Sequence, residues 1–193
     1  AARDESVRLG ATYRTYSEVL NIRPFADRVV VYTGAGAESF DSVVVATGPW
    51  AGALSGLDDG IIRNKQLVGS WFPVRDAVVH APARMPVSVR RHPEGAFSAF
   101  PCLDGMGVKI LNHHLEWPPL DNPEELQRYI DPDFVRSTEA AVARLMPLLD
   151  PTAVRVSTWT EGFSPDGAPI VGPSQVDDRI ILAVGMSGQG FKF

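Results

Sequence analysis

Two apolar segments that each run into glycine constrain the fold of this chain more than any other feature. The first, residues 39–48, contains Val43–Val45 and ends at Gly48, and the second, Ile180–Val184, ends at Gly185. A continuous apolar run of this kind is typical of a strand buried on both faces, as in parallel or mixed sheets. We therefore predict two buried strands, each followed by a glycine loop at the carboxyl edge of a sheet, where open α/β sheets bind ligands.

The stretch between these two segments has a different pattern, with short strands separated by turns. Short strand candidates separated by proline and glycine turns lie at residues 66–72, 87–91, 95–100 and 107–111. They predict an antiparallel sheet with one solvated face.

Other elements follow from local signals. Helices are predicted over residues 134–146 and from Asn122, which is followed by Pro123, and Gly10 is predicted to end a first helix. Further strands are predicted over residues 28–33 and 153–160, and residues 164–172 are predicted to turn.

Composition excludes several classes of function. Eighteen basic residues against 23 acidic ones leave a net charge of −5, so we expect neither a nucleic acid nor an anionic membrane as partner. A single cysteine, Cys102, excludes an internal disulfide and is expected to be a small buried hydrophobe. No apolar run reaches the ~20 residues of a membrane span. With no targeting signal recognised, we expect a cytoplasmic location.

The two glycine loops are the first candidate sites. Gly48 can let the backbone approach a ligand, and the three glycines between Gly185 and Gly190 can free backbone N–H groups to hold an anion or an electron-rich ring edge. A purely structural turn after residues 39–48 and a flexible loop at residues 185–190 are the alternatives.

Lys109 and the histidines that follow it are further candidates. In the strand Gly107–Leu111, alternation places Val108 and Ile110 on one face and Lys109 on the other, either in solvent or in a cavity. Adjacent strand histidines at positions 113 and 114 point to opposite faces, so we expect no metal site.

Bulky side chains near the end of the chain complete the candidates. Lys192 lies between two phenylalanines, so it either anchors a carboxylate or sits at a fraying end. Trp159 and Phe163 either line a pocket or pack in the core.

Four segments occur in an order that resembles a known family. They are VVVATGPWAGAL at residues 43–54, MGVKILNH at 106–113, SPDGAPIVG at 164–172 and IILAVGMSGQGFKF at 180–193. The ordered set resembles the amino-acid oxidase superfamily of FAD-dependent enzymes, and most closely the branch of monomeric sarcosine oxidase and N-methyltryptophan oxidase. Residues 1–39 match this family only loosely.

The resemblance implies roles for individual residues. Lys109 resembles a lysine that sits over the flavin through water and promotes reduction of O₂, since a fixed cation stabilises charge developing on oxygen. His113 resembles a histidine that borders the substrate cavity, and Lys192 a lysine that helps to bind the substrate carboxylate. The cofactor-binding positions implied in the same way are Val19, Gly48, Trp50, Gly185, Met186, Gly188, Gln189 and Gly190.

Some residues differ from the family pattern, and these differences lead to expectations about FAD attachment and the substrate. Ser157 stands where sarcosine oxidase has the cysteine that links covalently to FAD, and serine cannot form that thioether, so we expect non-covalent FAD. Trp159 and Ser98 stand where substrate-cavity tyrosines are expected, and both are predicted to bind substrate. Gln189 replaces a histidine of the flavin loop. Because Ser98 is small, we expect a bulkier amine or amino acid than sarcosine.

The implied fold class is α/β plus α+β, with part of an FAD-binding Rossmann-like domain interleaved with an antiparallel-sheet substrate domain. We expect residues 1–61 and 164–193 in the FAD-binding domain and residues 62–163 in the substrate domain. The family's Gly-x-Gly-x-x-Gly fingerprint is absent from the sequence, and the family continues past the lysine of its final motif. We therefore expect the chain to be the carboxyl-terminal half of such an enzyme.

The implied activity is FAD-dependent oxidation of a secondary amine or N-methyl amino acid to an imine, with O₂ reduced to H₂O₂. The expected partners are a small-molecule amine or amino acid and O₂. The alternatives are a dehydrogenase with another acceptor, a tailoring oxidase of a ring amine, and a flavin-binding subunit without turnover. H₂O₂ release across a panel of amines separates these classes.

Overall fold

The computed structural model describes residues 2–57, 60–93 and 95–190 of the chain. Within these residues, twelve strands form three sheets, and the α-helices are α1 (Ala2–Arg8), α2 (Ala51–Leu54) and α3 (Pro132–Leu145). Gly10 follows α1 with a φ of 97°, so the predicted glycine at the end of the first helix is confirmed.

A three-stranded antiparallel sheet precedes the first glycine loop. Its strands are β1 (Val19–Pro24), β2 (Val29–Thr33) and β3 (Gly36–Phe40). The strand predicted over residues 28–33 is confirmed as β2. The guanidinium of Arg179, from the far end of the chain, donates to the Phe25 carbonyl at 2.5 Å and anchors this sheet to the rest of the protein.

A six-stranded antiparallel sheet occupies the middle of the chain. Its strands are β5 (Arg63–Pro73), β6 (Ser88–Arg90), β7 (Phe97–Phe100), β8 (Gly107–Asn112), β9 (Pro119–Leu120) and β10 (Arg155–Phe163). The order across the sheet is β10-β5-β8-β7-β6, and β9 pairs with the start of β5. The predicted antiparallel pairing is confirmed, although β9 was not predicted. The prediction that one face is solvated is wrong, because Leu111 and Ser98 are buried on the face opposite Val108 and Ile110.

The third sheet brings the two glycine-ended segments together. Strand β12 (Ile180–Val184) pairs in parallel with β4 (Val43–Val45) and antiparallel with β11 (Ile170–Pro173). The predicted parallel or mixed sheet is confirmed, since this sheet is mixed. One prediction is wrong, because residues 39–48 do not form a single strand buried on both faces. Residues up to Phe40 belong to β3, and the Val44 side chain is 64% exposed because β4 packs on the core through Val45.

Residues 164–172 contain a strand as well as the predicted turn. Strand β11 begins at Ile170. Its glycine and proline residues disfavour a strand locally, but hydrogen bonds to β12 stabilise it. The core beneath this sheet consists of Val29, Val45, Ala51, Ile180, Leu182 and Val184.

Helix α3 covers one face of the large sheet. The Asp131 side chain accepts a hydrogen bond from the Asp133 N–H at 2.8 Å and so caps the start of α3, whose first residue is a proline. The fully buried Val142 packs with the core side chains of the sheet, among them Cys102, which is buried as expected. The Asn112 amide donates to Thr138 Oγ1 at 3.1 Å. The opposite face of the sheet is therefore left to form a site.

The helix predicted from Asn122 is limited to one 3-10 turn, Pro123–Glu125. The Asn122 side chain accepts from the Glu124 N–H at 3.0 Å, as a helix cap does. The chain does not continue as a helix because Gln66 Nε2 and Thr158 Oγ1 both donate to the Gln127 carbonyl, at 3.0 Å and 3.1 Å, and hold that segment against the sheet.

The mixed α/β character and the antiparallel sheets confirm the predicted fold class. The domain boundaries at residues 61 and 163 stay a prediction. None of the helices in the described residues is long and apolar enough to cross a membrane. Among the residues that the structure describes, no three histidine, cysteine, aspartate or glutamate side chains are grouped so that they could hold a metal ion.

Candidate active site

Four strands contribute side chains to the face of the large sheet that lies opposite α3. Lys109 on β8 pairs with Trp71 on β5 and with Phe100 on β7, and Trp71 also pairs with Arg155 on β10. Directly paired residues point to the same face of a sheet. These side chains therefore form one row across the sheet.

A second row lies beside the first on the same face. It runs through directly paired residues and consists of Ser157, Gly69, Leu111 and Ser98. Trp159 follows Ser157 by two residues, and alternation places it on this face as well. The pairing register thus brings together Lys109, Ser98, Ser157 and Trp159, which the sequence could associate only through a family resemblance.

The Lys109 ammonium is surrounded by aromatic rings. Its Nζ lies 4.0 Å from the ring centre of Phe100, 5.4 Å from that of Trp159 and 6.0 Å from that of Trp71. Distances of about 6 Å or less are those of cation–π contacts. Burial among these rings lowers the pKa of Lys109 below its ordinary value. Of the two alternatives, the structure therefore favours a half-buried lysine over a solvated one.

His113 and Ser98 form a hydrogen-bonded pair next to this row. His113 Nε2 lies 2.7 Å from Ser98 Oγ, and the His113 backbone N–H donates to the Ala96 carbonyl at 2.7 Å. The imidazole also contacts the Trp117 ring, with centres 5.1 Å apart. Since a neutral imidazole nitrogen can accept a hydrogen bond, the pair can act as a polar relay on an otherwise aromatic face.

A cleft of about 530 Å³ opens beside His113 and is lined by Arg91, His92, Pro93, Ala96 and His113. Partial burial, and secondly repulsion by the Arg91 guanidinium, lower the pKa of His113 below its ordinary value. The imidazole is therefore expected to be neutral at pH 7.

We expect Arg91→Gln to raise the pKa of His113, because removing the nearby positive charge stabilises the imidazolium. Histidine NMR titration measures the change. Arg90→Gln is the matched control, since Arg90 donates to the Leu145 carbonyl at 3.0 Å. Equal shifts in the two variants would contradict the assignment of the repulsion to Arg91.

The second glycine loop is held by its own serine and by a strand carboxylate. Gly185 and Gly188 have φ values of 59° and 81°, and Ser187 has a φ of 51°. Ser187 Oγ accepts from the Ser164 N–H at 3.1 Å, and the Gly188 N–H donates to Glu161 Oε1. These contacts favour a structured loop over the flexible alternative.

The remaining residues of this loop also have defined contacts. Met186 forms an isolated bridge with Phe163, and Gln189 Nε2 donates to the Gly167 carbonyl at 2.9 Å. A β-carbon added to Gly190 would lie 3.0 Å from Met186 Cγ. Lys192 lies outside the described residues, so its expected contact with a substrate carboxylate stays a prediction.

The first glycine loop forms a 3-10 turn, Gly48–Trp50, that leads into α2. Gly48 has a φ of 54°, and Trp50 Nε1 donates to Glu124 Oε1 at 2.8 Å. The indole of Trp50 therefore links this loop to the turn that precedes α3.

Val19 lies apart from the row of aromatic rings. It lines an apolar cleft of about 270 Å³ together with Thr47, the residue before Gly48, and with side chains of β2, β3 and β4. The cleft connects the start of β1 with the first glycine loop. The structure thus places Val19 beside the first glycine loop.

Buried polar atoms without partners lie close to the first glycine loop. Among the described residues, Thr47 Oγ1, Asn64 Oδ1 and Thr160 Oγ1 are buried and have no hydrogen-bond partner. A β-carbon added to Gly162 would lie 3.4 Å from Asn64 Oδ1 and 3.5 Å from the Gly48 carbonyl oxygen. Buried polar atoms are nearly always paired in folded proteins. The junction between this loop and the large sheet therefore has hydrogen-bonding capacity that the described residues leave unused.

Sequence reasoning gave no role to Gly69, Glu161 or Ser187. Glu161 could have been found from strand alternation, since it follows Trp159 by two residues on β10. Ser187 lies inside the glycine loop, but its bond to Ser164 depends on a contact between distant segments. The importance of Gly69 depends on the ring that lies over it, which local sequence does not show.

Comparison with known proteins places the chain in a family. The family described as DAO, FAD dependent oxidoreductase, matches residues 1–193. The chain is 26% identical to the monomeric sarcosine oxidase of Streptomyces avermitilis over 194 residues, which are 97% of this chain and 50% of that protein. It is also 26% identical to a monomeric sarcosine oxidase of a Bacillus species over 198 residues, again 50% of the relative. The chain thus spans about half the length of the curated relatives it matches.

Solved structures share the fold. One is the open form of NikD, described as an unusual amino acid oxidase essential for nikkomycin biosynthesis, with a TM-score of 0.75 at 20% identity. The match covers 96% of this chain and 50% of the NikD chain. L-proline dehydrogenase from P. horikoshii has a TM-score of 0.77 at 19% identity, over 97% of this chain and 49% of its own. With the family match over the whole sequence, the chain belongs to the DAO family of FAD-dependent oxidoreductases.

Proposed function

We propose that this chain forms part of an enzyme that oxidises a secondary amine or an N-methyl amino acid to an imine and transfers the electrons to O₂ to give H₂O₂. FAD, when bound, supplies the hydride acceptor for this reaction. The observation that carries the proposal is the half-buried Lys109 ammonium on the same sheet face as the Ser98–His113 pair. Membership of the DAO family supports the cofactor.

Lys109 provides the positive charge for the oxygen half of the reaction. The three rings around its ammonium shield it partly from water, and a charge in such surroundings acts more strongly than one fully in solvent. Lys109 therefore stabilises the negative charge that develops on dioxygen as it is reduced.

Ser98 and His113 serve the amine half of the reaction. Ser98 Oγ can accept a hydrogen bond from the substrate nitrogen while it donates its own proton to His113 Nε2, 2.7 Å away. The lowered pKa of His113 keeps that acceptor neutral near pH 7. The pair thus orients an amine whose lone pair must be free for oxidation.

Side-chain sizes on this face bear on the substrate. Ser98 and Ser157 are small, whereas Trp71, Phe100 and Trp159 supply broad aromatic surface. We infer that the substrate is bulkier than sarcosine and packs its apolar part on these rings. Lys192 is proposed to bind the substrate carboxylate.

A panel of N-methyl and cyclic amino acids tests this function. We expect amine-dependent H₂O₂ release from the FAD-loaded protein that carries this chain. Bleaching of the flavin by an amine without O₂, but no H₂O₂ in air, would instead show a dehydrogenase. A flavin that no amine bleaches under anaerobic conditions would show a binding subunit without turnover.

We also expect FAD to be bound without a covalent bond at residue 157. A serine hydroxyl there cannot form the thioether that a cysteine can. Acid precipitation should leave a colourless protein pellet and a yellow supernatant. Flavin retained in the washed pellet of the wild-type protein, and mapped to the peptide with Ser157, would contradict the expectation.

A further inference from the structure

Gly69 lies directly beneath the ring of Trp159. A β-carbon added to Gly69 would lie 2.6 Å from Trp159 Cη2 and 3.0 Å from Trp159 Cζ3. Real β-carbons essentially never approach another heavy atom within 3.0 Å, so any larger residue at this position would push the indole away. Glycine here leaves a seat on β5 into which the outer part of the indole fits.

The backbone gives no other reason for a glycine at this position. Gly69 lies inside β5, paired with Ser157 on one side and Leu111 on the other, and its φ is not in the left-handed region. Glycine weakens a strand interior, since it loses more conformational entropy on folding than other residues. An alanine would therefore be favoured at this position if the indole were absent.

The seated indole is one wall around the Lys109 ammonium. Trp159 lies on β10 and Lys109 on β8, with β5 between them, so the ring must lie across β5 to reach the lysine. Its centre is 5.4 Å from Lys109 Nζ. The other two walls, Phe100 and Trp71, come from residues directly paired with Lys109. A β-carbon at Gly69 would lie 3.6 Å from Trp71 Cζ3, which is an ordinary van der Waals distance, so the clash concerns Trp159.

We propose that Gly69 is a positioning residue: it seats the Trp159 indole across β5, and the indole then limits access of solvent and small reactants to the Lys109 ammonium. The part of this inference that concerns access of O₂ rests on the proposed role of Lys109 in oxygen reduction. The seat itself does not depend on that function and can be tested separately.

Lysine labelling provides a direct test because the sequence contains lysines only at positions 65, 109 and 192. Acetic anhydride labelling, read by peptide mass spectrometry over a range of pH, reports the access and the protonation of each. Lys65 is the internal reference, since its Nζ lies 5.5 Å from a different ring, that of Phe163. We expect Gly69→Ala to increase Lys109 labelling about three-fold or more relative to Lys65, and to move its pH midpoint upward because hydration favours the charged form.

Further variants make the test specific to the indole. Trp159→Leu removes the wall and should increase Lys109 labelling to a similar extent, and adding Gly69→Ala to it should produce no further increase. Gly34→Ala is the matched control, because a β-carbon there meets nothing within 4 Å and the φ is ordinary. Unchanged Lys109 labelling in Gly69→Ala, or full additivity with Trp159→Leu, would overturn the proposal.

Folding and function can be separated in the same set. If Gly69→Ala alone fails to fold, the double variant Gly69→Ala/Trp159→Leu should fold, since the clash is gone, and its failure would also overturn the proposal. In the FAD-loaded protein, Gly69→Ala should change flavin reoxidation by O₂ more than flavin reduction. Altered labelling with unaltered reoxidation would support the seat and count against the proposed oxygen role of Lys109.

Discussion

Replacement of Lys109 by methionine should slow reoxidation of the reduced flavin by O₂ about 100-fold or more, while flavin reduction by the amine changes far less. Methionine keeps the apolar stem that packs among Phe100, Trp71 and Trp159 but removes the charge. Loss of one preorganised electrostatic group typically costs ~10²–10³ in rate. Stopped-flow measurement of the two half-reactions separates the effects.

Two observations control this prediction. Lys65→Met removes a lysine next to a different ring, that of Phe163, and should leave both half-reactions close to wild type. In the wild-type protein, reoxidation should fall as the pH rises through the pKa of Lys109, which burial lowers below that of an ordinary lysine. Equal slowing of both half-reactions in Lys109→Met would refute the oxygen role.

Gly185→Ala should destabilise the protein by about 3 kcal/mol, which combines ~1–2 kcal/mol for a left-handed backbone with ~1–3 kcal/mol for overpacking. Gly185 has a φ of 59°, and an added β-carbon would lie 2.9 Å from Ile62 Cδ1 and 3.3 Å from Ser164 Cβ. Urea denaturation of the apoprotein, with unchanged slope, measures the loss.

Gly188→Ala in the same loop is the matched control. Gly188 has a similar φ of 81°, but an added β-carbon meets nothing within 4 Å. We therefore expect a loss of only ~1–2 kcal/mol from backbone strain, together with a weaker affinity for FAD if the open space belongs to the flavin site. If the two variants lost equal stability, crowding against Ile62 and Ser164 would not contribute to the loss in Gly185→Ala.

Local sequence patterns predicted much of the secondary structure. Helix α3 follows from its apolar spacing over residues 134–146, although it begins at Pro132, and strands such as β8 follow from alternation. Errors occurred where pairing between distant segments overrides local preference. Strand β11 forms from Ile170-Val171-Gly172-Pro173 because β12 offers it a partner, and the turn after Asn122 stops because sheet side chains bind the Gln127 carbonyl.

The candidate site was predictable only in part. Val108 and Ile110 were expected on one face of the strand and Lys109 on the other, and the structure buries Val108 and Ile110 in the core. The rings around Lys109 could not be derived, because Trp71, Phe100 and Trp159 come from three other strands. Their approach depends on the register of each strand pair, and a slip of one residue would turn every side chain to the opposite face.

The sequence by itself determined the chemistry that is available. Its two glycine-ended strands, its lysines and its ordered motifs are consistent with the DAO family, because those features depend on residue type and spacing along the chain. Tertiary structure alone decided how these groups meet. The antiparallel register sets Lys109 among rings, pairs Ser98 with His113 and gives Gly69 its place beneath Trp159, because contacts across strands depend on pairing between residues far apart in sequence.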